Sequence, residues 1–93
     1  MARTDTVTVP AEDWIQLTNG DTTAVTFQVK SGAIYLVATV GAVEPTNLDN
    51  AVYYSERQGE IALALADLAP GTAGANRLYA WGASASDVLI SHG

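Results

Sequence analysis

The chain reads as an all-β domain, a small antiparallel β-sandwich or open barrel of about seven or eight short strands. Apolar and polar residues alternate with period two over most of its length. Turn residues punctuate these runs at short intervals, and no window carries a sustained helical period.

TDTVTV at 4–9 alternates Val7 and Val9 with threonine and stops at Pro10, which cannot donate to a strand ladder. Residues 1–12 therefore read as an N-terminal arm or edge strand ahead of a single β domain over 13–93. In DWIQLT at 13–18, Ile15 and Leu17 share one face while Trp14 and Gln16 share the other. Asn19-Gly20 follows, a strong hairpin dipeptide. AVTFQVK at 24–30 sets Val25, Phe27 and Val29 against Thr26, Gln28 and Lys30, as a half-buried strand would. AIYLVATV at 33–40 is apolar on both faces, Ile34, Leu36 and Ala38 opposing Tyr35, Val37 and Thr39, so it should be central or covered. Only Ser31-Gly32 separates these two runs, which predicts a tight hairpin.

Residues 41–51 combine glycine, proline, asparagine and acids and read as a loop. VYYS at 52–55 is the next short strand. In GEIALALADLAPG at 59–71, Ile61, Leu63 and Leu65 alternate with Ala62 and Ala64. That favours a strand ending in a turn, although alanine and leucine also suit a helical turn. RLYAW at 77–81 places Leu78 and Ala80 against Arg77, Tyr79 and Trp81, and DVLISH at 87–92 places Val88, Ile90 and His92 against Leu89 and Ser91. The small residues of 82–86 have the length of a hairpin connection, so these last two strands are predicted to close the fold as a pair.

A chain of 93 residues buries only roughly 60–65% of its unfolded surface. With no cysteine and one histidine, disulfide and metal supports look absent, and association is what remains. Four basic residues against ten acidic ones, a net charge of −6, argue against a nucleic-acid surface. No segment has the form of a signal peptide or the length of a membrane span, so synthesis in the cytoplasm is expected, with retention there unless the chain leaves as part of a larger particle.

Catalytic constellations are poorly supplied. His92, Ser91 and Asp87 are the residue types of a hydrolytic triad, yet on a strand Asp87 and Ser91 share a face and His92 points to the other. Glu44 and Asp49, with Asn47 and Asn50, crowd one loop without the ligand spacing of an EF-hand. GTAGA at 71–75 lacks the lysine of a P-loop. No enzymatic activity, metal or cofactor is expected. The aromatics Trp14, Tyr35, Tyr53, Tyr54, Tyr79 and Trp81 either cover the sheets or form a contact surface for protein or sugar. Arg77, Tyr79 and Trp81 on one strand face are the leading contact candidates. Val7 and Val9 follow, on a segment suited to adding a strand to a neighbour's sheet. Leu89 completes the set, placed where a neighbour would cover it.

Several stretches carry a resemblance. These are W-I-x-L-T at Trp14, A-T-x-G-A-x-x-P from Ala38 to Pro45, L-A-D-L-x-P-G from Leu65 to Gly71, R-L-Y-A-W from Arg77 to Trp81, and an ending of S-H plus a small residue. From Trp14 onward the chain resembles a group of short proteins encoded among the virion genes of tailed bacteriophages. That resemblance implies a non-enzymatic virion component, most readily a decoration or cement protein made in the host cytoplasm. It would bind the major capsid protein from the capsid exterior as a homo-oligomer, with a trimer suited to three-fold positions, and without nucleic-acid or membrane partners. A tail-tube, head–tail joining or host-glycan-binding fibre protein is the alternative of the same origin.

Overall fold

The structure, a computed structural model, describes residues 3–93, which form eight strands and one helical turn. The strands are β1 (Arg3–Val9), β2 (Trp14–Gln16), β3 (Ala24–Ser31), β4 (Ala33–Thr39), β5 (Val52–Ser55), β6 (Gly59–Ala64), β7 (Arg77–Gly82) and β8 (Ser86–His92), with α1 (Leu65–Leu68) after β6. They build two four-stranded antiparallel sheets, sheet A in the order β1-β8-β3-β6 and sheet B in the order β2-β7-β4-β5.

The order has a simple origin. β1 pairs with β8, β2 with β7, β3 with β6 and β4 with β5, so the chain is one long hairpin nested around the loop at 40–51. Rolling it brings β8 beside β3 and β7 beside β4, and the result is the double-sheet jelly roll form of the β-sandwich.

Three of the predicted hairpins do not form. β2 and β3, β3 and β4, and β7 and β8 are successive strands that lie in opposite sheets. The β3–β4 link explains why. β3 carries a bulge at Lys30, between the paired residues Val29 and Ser31, and Gly32 follows with φ +82°. A bulge and a bend of this kind turn a strand into the other sheet instead of back along its own. The corner is locked by Ser86, a buried residue of β8. Its Oγ accepts the Ala33 N–H at 3.0 Å and lies 3.0 Å from the Ala33 carbonyl and 2.7 Å from that of Ser84, to which it donates. A Cβ on Gly32 would collide with that hydroxyl.

Between the sheets, alternation works as the sequence predicts. Val25, Phe27 and Val29 of β3, with Val88 and Ile90 of β8, face Ile34, Leu36 and Ala38 of β4 and Leu78 and Ala80 of β7. Val7 and Val9 of β1 complete this core, 8% and 0% exposed. Edge strand β1 thus spends both valines inside its own sandwich, so a contact along it would run through its backbone and its threonines. Thr18, buried beside the core, accepts the Leu78 N–H at 3.3 Å.

The segment after Gly59 combines the two expected conformations, a strand to Ala64 and then one helical turn. Its alternation is interrupted by an extra residue at 61–62 opposite Thr26, with Ala62 at φ +51° and its N–H held by Thr26 Oγ1 at 2.9 Å. A bulge inverts facing beyond it. Leu63 and Leu65 still point to the core, whereas Ile61 is 87% exposed.

Gly32→Ala is expected to cost about 2–3 kcal/mol, from a positive φ and an overlap that neither strand can relieve, and the loss is read from chemical denaturation. Ile90→Asp should cost about 4 kcal/mol or more, enough to unfold much of the population, while Leu89→Asp on the opposite face leaves the thermal midpoint nearly unchanged.

Candidate functional site

The two outer faces of the sandwich differ in kind. On sheet A, β1 contributes Thr4, Thr6 and Thr8, β8 contributes Asp87, Leu89 and Ser91, and β3 contributes Thr26 and Gln28. Hydroxyls bond across these strands, Thr4 Oγ1 with Ser91 Oγ at 2.9 Å and Thr8 Oγ1 donating to Asp87 Oδ1 at 3.1 Å. Leu89 sits half-buried between Thr6 and Gln28 and shares a shallow depression with the exposed Ile61 of β6.

Sheet B is covered by rings. Register sets Trp14 of β2 opposite Trp81 of β7, Trp81 opposite Tyr35 of β4, and Tyr35 opposite Tyr53 of β5. Four aromatics from four strands thus form one row across the whole sheet. The Tyr35 and Tyr53 rings lie 5.1 Å apart at 59°, and the Tyr35 and Trp81 rings 5.9 Å apart at 61°. Cross-strand aromatic pairs of this geometry stabilise a sheet by about 0.2–1 kcal/mol each. They also leave apolar surface in water: Tyr53 is 51% exposed, and Trp14, Tyr35 and Trp81 are half-buried.

Beside this row runs a second one, Gln16, Tyr79 and Val37, in which Tyr79 is only 6% exposed. The candidate trio on β7 is thereby divided. Tyr79 is closed off by its neighbours, and Arg77 is occupied: its Nε donates to Asp21 Oδ1 at 2.8 Å and its Nη1 to Gln16 Oε1 at 3.5 Å. Trp81 alone of the three opens onto the aromatic row. Past Val37 the apolar surface continues to Val40 and Val43, 53% and 65% exposed, which with Pro45 line a depression of about 520 Å³.

The other constellations disperse. Ser91 faces outward, bonded to Thr4, while His92 is buried on the inner side. His92 Nε2 accepts the Asn19 N–H at 3.3 Å and Nδ1 lies 2.9 Å from the Gly93 carbonyl oxygen. The histidine pins the 19–20 turn to the last strand. In the 41–51 loop Asn47 Oδ1 accepts the Asp49 N–H at 3.1 Å, and no group of three or more metal-ligating side chains occurs among the described residues. No helix among them is long and apolar enough to cross a membrane.

Facing, but not alignment, was available from sequence. Alternation puts Trp14, Tyr35 and Trp81 opposite the core-facing positions of their strands. Which ring meets which depends on the nested pairing, and Tyr53 joins the row only because β5 pairs with β4 across a twelve-residue loop at 40–51.

No family model matches the chain, and neither a curated protein nor a solved structure does. Jelly rolls serve as capsid subunits and as lectins alike, so the architecture alone leaves the activity open.

Next to Tyr53, Tyr54 turns inward and sets its ring edge-on to Phe27, with centroids 4.8 Å apart at 87°. Burial, helped by the Glu60 carboxylate, raises its phenol above the usual tyrosine value. A phenol with a raised folded-state pKa contributes stability fully present below the unfolded value of about 10 and lost as pH rises through the folded one. The denaturation midpoint should therefore fall on alkaline titration, and Tyr54→Phe should flatten that fall.

Proposed function

We propose that the chain is a non-enzymatic structural protein of a tailed-phage virion, which decorates the capsid by seating the aromatic face of sheet B on the major capsid protein. One observation carries the reading: one outer face is mostly threonine, serine and glutamine around Leu89 and Ile61, and the other carries four aromatics aligned in one register row. A solvated subunit has no need to leave four rings partly exposed in a line, whereas tryptophan and tyrosine are the side chains that most often dominate protein contacts. The resemblance to tailed-phage virion proteins supplies the partner.

The tilt of the rings favours a protein over a polysaccharide. Interplanar angles of 59° and 61° make a ridged surface, not the coplanar platform on which a run of sugar rings would stack. Location on the capsid exterior and self-association belong to this proposal, and a tail or fibre position with a glycan target is its competitor.

Co-sedimentation with purified capsids lacking the protein tests it. The native chain should bind, Tyr53→Asp should weaken binding by about thirtyfold, the loss typical of a contact hot spot, and Gln28→Asp on the opposite face should bind normally. Equal binding by all three, or binding to a glycan array in place of capsids, would overturn the proposal.

A further inference from the structure

We propose that the free edge of β1 pairs antiparallel with β1 of a second copy, joining two A sheets into one continuous eight-stranded sheet. The contact is separate from the aromatic face and does not depend on its role.

A sandwich of two open sheets has four edges, and three of them are blunted. β2 is three residues long and β5 four. β6 is kinked by the bulge at 61–62, with Ala62 at φ +51° and the Ile61 side chain standing out from it. β1 differs in every respect. It has seven residues, each paired in unbroken register with β8 from Arg3↔His92 to Val9↔Ser86, and no glycine, proline or bulge within it. Its threonines and valines are the residues best suited to a pleated strand. On the side away from β8, alternate N–H and C=O groups have no strand partner among the described residues. A long edge strand without bulge, glycine or proline is a template for another strand.

β1 itself is the complementary strand. Antiparallel self-pairing that keeps both copies' valines on the core side sets threonine against threonine on the solvent side, a favourable cross-strand pair. Charge permits it. The chain carries −6 overall, but the only charged residues of β1 are Arg3 and Asp5, which cancel and lie 3.8 Å apart. The strand is therefore a neutral strip on an acidic molecule, where two copies repel least.

Geometry then fixes the assembly. Two antiparallel strands side by side in one sheet are related by a two-fold axis perpendicular to that sheet. The contact is isologous and closes as a dimer, in place of the trimer suited to capsid three-fold positions. Because the axis is perpendicular, both B sheets lie on the same side of the joint. The aromatic faces of both copies point the same way and can engage one surface together, which raises avidity without any new contact.

The test uses the full chain alone, without capsids, so its outcome is independent of the docking proposal. Sedimentation over a range of concentrations should show a monomer–dimer equilibrium. Hydrogen exchange on the same samples should show the outward-pointing, alternate amides of β1 becoming protected as dimer forms, while those already bonded to β8 stay protected throughout. Thr6→Lys, at an exposed position on the solvent face, should keep the native circular dichroism spectrum and weaken dimerisation about tenfold through like charges brought to the joint. A monomer at every concentration overturns the proposal. So does a dimer that leaves the β1 amides unprotected, or one that Thr6→Lys does not weaken. Protection of β1 only when a different protein is added would also overturn it, by assigning the edge to another chain's strand.

Discussion

The fold turns on a corner one residue long. β3 and β4 are separated only by Gly32, yet they belong to opposite sheets, and everything downstream inherits that exit. Had the chain doubled back there, β3 and β4 would pair and the nested order could not form. Two conditions enforce the corner: a backbone at φ +82° that glycine tolerates, and a buried hydroxyl from Ser86 that satisfies the Ala33 amide group where the ladder breaks off. The second condition ties the two sheets directly, since Ser86 belongs to sheet A and Ala33 to sheet B.

This corner also marks the boundary of what can be read from the residues. Strand existence and facing are local properties, set by alternation, and Val25, Phe27, Val29, Leu78, Ala80, Val88 and Ile90 are buried as their parity requires. Pairing is not local. Ser31-Gly32 has the same composition whether the chain turns within a sheet or leaves it, and the hydroxyl that decides between them lies 53 residues beyond Ala33. Ile61 failed for a related reason: the bulge that rotates it outward depends on Thr26 of the neighbouring strand. Val7 and Val9 were legible as a strand, but nothing in TDTVTV tells whether its inner face meets its own core or a neighbour's.

The candidate site shares this limit. Each ring of the aromatic row sits on a facing that its own strand announces, whereas the row is a product of register among four strands. Arg77 illustrates the converse. Its residue type suits a contact, yet its ion pair with Asp21 at 2.8 Å ties the 19–23 loop to β7 and makes it part of the scaffold. Asn76 does similar work at the same end, accepting the Gly41 N–H on its Oδ1 at 2.7 Å and the Thr22 N–H on its carbonyl at 3.0 Å.

The nested pairing has a consequence in time. During synthesis β1 emerges before every other strand, and its partner β8 emerges last. The stretch between them takes about 4–15 s to make at ordinary translation rates of about 5–20 residues per second. Until β8 arrives, sheet A cannot close, because β8 is the strand that lies between β1 and β3. The innermost pair, β4 with β5, is available first, and each later pair encloses the one before it. Strand pairs thus become available from the apex of the hairpin outward, and until then β1 has no β8 to pair with.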